Sequence, residues 1–108
     1  MNGDIDRLIQ FVAKHFIFDN KTYPELANAS DEKRLFFAIR HSALHLAKTS
    51  GKIATVVEAV DHGKEIDMAQ LKIDIPKALI TVLRLVEVIG MSEDDIIRAI
   101  EKKYNDKI

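Results

Sequence analysis

Apolar residues recur every three or four positions along most of the chain, and this spacing predicts an all-α fold of four helices. The first helix is predicted over about residues 4–18, and the loop around Pro24 follows it. Ser30 is expected to begin the second helix, because its hydroxyl can accept a hydrogen bond from a first-turn N–H. From there the register continues to about residue 61, so the second helix is the longest, and Gly51 is a point where it could kink.

The last two helices are bounded by residues that start and stop helices. Asp67 can cap a short turn, and Pro76 suits a first helical turn better than a helix interior. We therefore expect the third helix to start near Asp74, or to kink there. Gly90 is expected to stop it, and Ser92 to cap the fourth helix.

The third helix is apolar on nearly every side. Its polar residues, Lys77, Thr81 and Arg84, form one narrow stripe, and the other residues from 78 to 86 are apolar. Such a helix must be covered on several sides, which four helices of one chain achieve only in part. The pattern therefore favours a bundle completed by a second copy, as a homodimer or a higher homo-oligomer. The alternative is a central helix in a monomeric bundle.

Length and composition exclude several classes of protein. The chain has 108 residues, which predicts one domain over residues 1–108. It contains no cysteine, so disulfide frameworks, zinc ribbons and cysteine nucleophiles are ruled out. The formal net charge is −1, which gives no bulk attraction to nucleic acid. No signal peptide and no apolar run long enough to span a bilayer is found, so we expect a soluble cytoplasmic protein without a membrane partner.

His41 and His45 are the first candidates for chemistry. They lie four residues apart and share a helix face, and this spacing can hold a metal between two imidazoles. Position 42 is serine, so the pair is not part of an HExxH motif. The alternative is that both are polar or half-buried histidines without a ligand.

Several stretches of the chain together resemble a known family. They read HLAKTSGKIA over 45–54, DHG over 61–63, DIPKALITVLRL over 74–85 and IGM over 89–91. This order resembles the MazG-like all-α nucleoside triphosphate pyrophosphohydrolases, which carry EEVGELAE on one long helix and ELADVLIYLLRLA…LGI on the next. The similarity covers about residues 30–104. It implies a four-helix unit that forms dimers or tetramers and releases nucleoside monophosphate and pyrophosphate with magnesium.

The family's metal motif is altered in this chain. Its E-x-x-E and E-x-x-D positions fall on Thr49, Lys52, Asp74 and Lys77, so three of the four carboxylates are missing. Magnesium needs anionic oxygen ligands, and two ammonium groups would repel it. We therefore expect no cofactor and no ordinary family mechanism, with magnesium required only if that mechanism survives. A register shifted by one turn would instead recruit Glu58 and Asp61.

Three hypotheses for function follow from this altered motif. The first is a binding module for a nucleotide or another phosphate ligand, since basic groups in a cleft bind phosphate well. Its candidate residues are Lys52, Lys77, Arg84, His41 and His45. The alternative for these residues is that Lys52 reaches Asp74 as an ion pair and Lys77 points to solvent.

The other two hypotheses belong to different classes. One is an enzyme that holds a metal through His41, His45 and a carboxylate such as Asp74, or that hydrolyses nucleoside triphosphates without metal. The other is a structural or regulatory oligomer that keeps only the helical scaffold of the family.

Overall fold

The chain folds into helices, with a long connection between the first two and short loops between the others. The structure is a computed structural model that describes residues 3–19 and 21–105. Within these residues it contains four α-helices and no strand, and it is 78% helical, which confirms the all-α prediction. The helices are α1 (Asp4–His15), α2 (Asp31–Asp61), α3 (Met68–Val88) and α4 (Glu93–Asn105), and a 3-10 turn spans Pro24–Leu26. None of the described helices is long and apolar enough to cross a membrane.

The second helix has the bounds that the sequence predicts. The Ser30 hydroxyl accepts a hydrogen bond from the Lys33 backbone N–H at 3.2 Å. The helix continues through Gly51 and ends before Gly63, whose φ of +84° lies in the left-handed region that glycine adopts without strain. By contrast, α1 ends at His15, about three residues earlier than predicted.

The third helix starts six residues earlier than predicted. The Asp67 carboxylate accepts from the Gln70 N–H at 3.0 Å, and the helix begins at Met68 rather than near Asp74. Pro76 therefore lies inside α3, where it removes one backbone hydrogen bond. The expected start near Asp74 was wrong: the Asp67 cap sets the N-terminus, and the helix continues through Pro76.

The described core lies between α1 and α3. Ile9 and Val12 of α1 pack against Leu83 and Val86 of α3, and all four side chains are buried. Ile5, Ile80, Met91 and Ile96 surround this cluster. Because Ile96 belongs to α4, the cluster also holds the last helix against the first and third.

Hydrogen bonds between helix N-termini tie α1 to α4. The Ile5 N–H donates to Glu93 Oε1 at 2.9 Å, and the Glu93 N–H donates to Asp6 Oδ1 at 2.8 Å. Each carboxylate therefore satisfies a first-turn N–H of the other helix and lies near the positive end of its dipole. Ser92 and Asp95 add a reciprocal cap at the start of α4, through bonds of 2.8 and 3.2 Å.

Helix α3 buries part of its polar stripe and exposes part of its apolar surface. Thr81 and Arg84 of its polar stripe are each only 7% exposed, whereas the apolar residues Ile75, Leu79 and Val82 are exposed. The helix thus turns polar side chains inward and leaves an apolar stripe outside. This arrangement places the candidate site residues of α3 toward α2, the helix with which α3 makes its most extensive contact.

Candidate functional site

A basic cavity lies between α2 and α3. Its volume is about 430 Å³. Helix α2 contributes His45, Lys48, Thr49 and Lys52, helix α3 contributes Lys77, Ile80, Thr81 and Arg84, and Phe16 follows α1. The α2 residues are spaced by three or four, so they share one face of that helix. Four of these side chains are cationic, and none of the described residues that line the cavity is acidic.

Arg84 is the most deeply buried cation of this cavity. It is 7% exposed, and its Nε has no hydrogen-bond partner among the described residues. The guanidinium carbon lies 4.1 Å from the centre of the Phe18 ring and 5.7 Å from that of Phe16. Within the described part of the chain no carboxylate lies within 4 Å to form an ion pair with Arg84. A buried cation without a counter-charge is costly, so this site favours an anion.

Asp74 lies apart from the basic cavity. It is 1% exposed, and the Gln70 amide donates to both carboxylate oxygens at 3.2 and 3.1 Å. Lys52 and Asp74 line a smaller adjoining cavity of about 290 Å³, but the described residues contain no ion pair between them. The predicted ion pair is therefore absent, because an amide one turn away on the same helix already holds the carboxylate.

The structure thus brings together three of the four positions onto which the resemblance places the metal motif. Thr49, Lys52 and Lys77 line the basic cavity, and Asp74 is reached only through the adjoining space beside Lys52. Thr49 is buried with 8% exposure, and Lys77 is exposed. Two ammonium groups, one hydroxyl and one carboxylate that is hydrogen-bonded to Gln70 make a poor ligand set for magnesium.

His41 and His45 form a pair, but only His45 lines the basic cavity. Their Nε2 atoms are 3.0 Å apart, so one imidazole donates a hydrogen bond to the other. His41 stacks on Phe37 at 5.3 Å between ring centres. Burial lowers the pKa of His41, and electrostatic interactions with the neighbouring His45, Arg84 and Arg40 lower it further. No group of three metal-ligating side chains occurs in the described residues, so His41, His45 and Asp74 do not form the metal site considered above.

The alternative carboxylates, Glu58 and Asp61, lie outside this cavity. Both are exposed near the end of α2, and Glu58 Oε1 lies 3.5 Å from Nε2 of His62. Sequence reasoning also missed four lining residues, Phe16, Lys48, Ile80 and Thr81. Lys48 could have been found, because it lies one turn before Lys52 on the same face. Phe16 could not, because its position depends on how the end of α1 meets α3.

A larger cavity of about 610 Å³ lies beside the first half of α2. Leu26, Phe36 and Phe37 supply much of its lining, and Glu25 there opposes the charges of nearby basic side chains. Its mixed charge gives it no preference for an anion, so it is a weaker candidate for the chemistry that the altered motif suggests.

Comparisons with known proteins did not identify a relative of this chain. No protein-family model, no curated protein and no solved structure matches the chain significantly.

Proposed function

We propose that this chain is a divergent MazG-like domain that binds a phosphate-bearing ligand without the family's magnesium-dependent hydrolysis. The observation that carries the proposal is the basic cavity, in which four cations face a space without any described carboxylate. The apolar register and the matched sequence stretches support the relationship to the family, and the altered motif supports the loss of its metal.

Electrostatics favour an anion over a cation in this cavity. Two unit charges about 4 Å apart interact by about 4 kcal/mol at an effective dielectric constant of about 20. Lys52 and Lys77 are exposed, so solvent reduces this energy, but its sign still disfavours a divalent cation and favours a phosphate. Arg84 adds a planar donor set that matches phosphate geometry and lacks a carboxylate partner in the described structure.

Isothermal titration calorimetry tests the binding proposal directly. The purified chain is titrated with inorganic phosphate, pyrophosphate and nucleoside mono-, di- and triphosphates at fixed ionic strength. We expect at least one of these to bind the wild-type chain and to bind the double variant Lys52→Gln/Lys77→Gln at least about tenfold more weakly, because each lost charge-assisted hydrogen bond contributes roughly 1.5–3 kcal/mol.

A matched control separates local contacts from overall charge. Lys64 and Lys72 are exposed and lie outside the basic cavity, so Lys64→Gln/Lys72→Gln removes the same net charge elsewhere. If both double variants lose affinity equally, the binding is a general charge effect. If no phosphate compound binds the folded chain, the proposal is wrong.

The enzyme hypothesis makes a separate prediction. An active nucleoside triphosphate pyrophosphohydrolase would release pyrophosphate in the presence of magnesium or manganese. We expect no release above the level of a Lys52→Gln/Lys77→Gln control for any of the common nucleoside triphosphates. Metal-dependent release that this variant abolishes would favour the enzyme over the binding module.

A second candidate function is assembly as a homo-oligomeric scaffold. The radius of gyration is 17.0 Å, whereas a compact chain of this length is expected near 13 Å. The accessible surface is 8185 Å², against about 6,100 Å² for a compact protein of 12.2 kDa. The excess of about 2,000 Å² is within the area per partner that an obligate dimer buries. Part of this excess surface belongs to the exposed apolar stripe of Ile75, Leu79 and Val82.

Sedimentation equilibrium tests this second candidate. We expect the wild-type chain to sediment as a dimer or larger, and Leu79→Glu to shift it to the monomer by placing a charge in an apolar interface. Lys64→Glu, at an exposed position in the loop between α2 and α3, is the control and should not change the mass. A monomeric wild-type chain at micromolar concentration would rule out the scaffold.

A further inference from the structure

Two imidazoles on α2 converge at the edge of the basic cavity. The Nε2 atoms of His41 and His45 are 3.0 Å apart, and the ring centres are 4.6 Å apart. Across a straight N–H···N bond the two rings would lie end to end, with each ring centre a full ring radius beyond its nitrogen. The observed ring centres are closer together than that, so at least one Nε2 axis points away from the line between the nitrogens. Two nitrogens that face one shared position beside that line have this arrangement.

The spacing of the nitrogens fits a metal ion that takes its ligands at right angles. Bonds of about 2.0–2.1 Å are typical between imidazole and a metal ion, and across 3.0 Å they make an angle of about 90–100° at the metal. Cu²⁺ and Ni²⁺ favour square-planar or tetragonal sites, in which neighbouring ligands lie about 90° apart. Zn²⁺ favours the wider tetrahedral angle.

We propose that His41 and His45 form a two-nitrogen chelate for a divalent transition metal, Cu²⁺ or Ni²⁺, with water in the remaining positions. The imidazole that donates the present hydrogen bond moves its proton from Nε2 to Nδ1, and both Nε2 lone pairs then face the metal. This inference goes beyond the proposed function and does not depend on it. The ligands differ from those of the altered magnesium motif, since magnesium prefers oxygen to imidazole.

Aromatic packing holds one of the two ligands in position. The His41 ring stacks on Phe37, with 5.3 Å between ring centres and 13° between planes. Tyr23 and Phe18 make edge contacts with the same imidazole, at 4.9 and 6.0 Å between ring centres. Because this ring is ordered before the metal arrives, less conformational entropy is lost on binding. His45 is exposed, so a metal ion can reach the pair from solvent.

Neighbouring cations oppose the metal but do not prevent its binding. Lys48 lines a small cavity of about 140 Å³ together with both histidines, and Arg40 and Arg84 interact electrostatically with His41. Lys48 and Arg40 are exposed, so solvent reduces their repulsion of a metal ion. Arg84 is buried against Phe18, and Glu25 acts on His41 in the opposite sense. These charges lower the affinity, whereas the two metal–nitrogen bonds supply the attraction.

Titration with Cu²⁺, followed by electron paramagnetic resonance, tests the inference. Cu²⁺ is added to the full chain without an affinity tag, and pulsed measurements count the coordinated imidazole nitrogens. We expect two such nitrogens in the wild-type chain and one in His45→Gln. Binding to the variant should be at least about tenfold weaker, since losing even a group that orients a metal ligand typically costs about 10–100-fold. His45 is exposed, so the variant should fold, and circular dichroism checks this.

The other two histidines of the chain supply a matched control. His15 and His62 each lack a histidine three or four residues away. The double variant His15→Gln/His62→Gln removes two imidazoles and leaves the proposed pair unchanged, so it should keep both the affinity for Cu²⁺ and the signal of two nitrogens. Ni²⁺ should show the same dependence on His45, and excess Mg²⁺ should not displace Cu²⁺.

Three results would overturn the inference. If His45→Gln binds Cu²⁺ as tightly as wild type, or if the control variant weakens binding as much as His45→Gln, the metal is adventitious. A signal from only one imidazole nitrogen in the wild-type chain would also refute the chelate. None of these results bears on phosphate binding, which the calorimetry described above decides separately.

Discussion

Arg84→Met should stabilise the ligand-free protein while removing its response to phosphate ligands. Arg84 is 7% exposed, its Nε has no partner among the described residues, and the described part of the chain offers it no ion pair within 4 Å. Methionine has a similar length, is apolar and can keep contact with the Phe18 ring through its sulfur. The substitution therefore removes a buried charge without creating a large cavity.

The size of the effect follows from two opposing contributions. A buried polar group without a partner costs about 1–3 kcal/mol. The cation–π contact with Phe18, at 4.1 Å, stabilises the folded state by about 0.5–2 kcal/mol. The expected gain in the free energy of unfolding is therefore about 1 kcal/mol, which corresponds to a rise of about 4–8 °C in Tm for a domain of this size.

Thermal unfolding followed by circular dichroism, at one protein concentration, measures this change. A ligand present at about 100 times its Kd should stabilise the wild-type chain by about 2.7 kcal/mol, and Arg84→Met should lose most of that increment. Lys77→Met is the matched control, because it removes an exposed cation of the same cavity and should lower ligand stabilisation without raising the Tm of the free protein. An Arg84→Met chain that is less stable than wild type by about 1 kcal/mol or more would refute the view that Arg84 is an uncompensated charge.

Three further substitutions test the fold and its pH dependence. Leu83→Ala, at a position 4% exposed in the core between α1 and α3, should cost about 2–5 kcal/mol in denaturant unfolding. Ser92→Ala removes the cap of α4 and should cost about 0.5–2 kcal/mol by the same measurement, and a loss near zero would contradict the capping role. The pKa of His41 is lowered in the fold, so its contribution to stability is present above the ordinary pKa of 6.5 and is lost as the pH falls from there through the folded value. Melting temperatures from pH 8 to pH 5 should show that loss, and His41→Phe, which keeps the ring against Phe37, should make the profile flatter.

Helix bounds were predictable wherever a local signal decides them. Ser30 and Gly63 bracket α2 because a side-chain cap and a left-handed glycine act within one turn of the helix end. The start of α3 was harder to predict, since two local signals, the Asp67 cap and Pro76, favour different boundaries. The structure uses the Asp67 cap.

The sequence predicted several residues that line the site, but not the hydrogen-bond partner of Asp74. The family resemblance predicted that Thr49, Lys52, Asp74 and Lys77 lie close together. Three of them line one cavity, and Asp74 lines the adjoining cavity with Lys52. Gln70 lies four residues before Asp74 on the same helix, so the amide contact was a local alternative to the predicted ion pair. The burial of Arg84 had no sequence signal, because periodicity defines a stripe without saying which stripe faces the interior.

Restoring the four family carboxylates is the sharpest test of the proposed relationship to MazG-like proteins. The variant is Thr49→Glu/Lys52→Glu/Asp74→Glu/Lys77→Asp. Three of these positions already line one cavity and the fourth adjoins it beside Lys52, so the new carboxylates should converge into an oxygen-rich cage for a hard cation. The longer glutamate side chain at position 74 must also leave the Gln70 amide, and adding Gln70→Ala removes that competitor. Calorimetry should then detect magnesium binding that the wild-type chain lacks, with circular dichroism confirming that the variant is folded. A folded variant that binds no more magnesium than wild type would mean that the four positions do not correspond to the family's metal site, whatever the sequence resemblance.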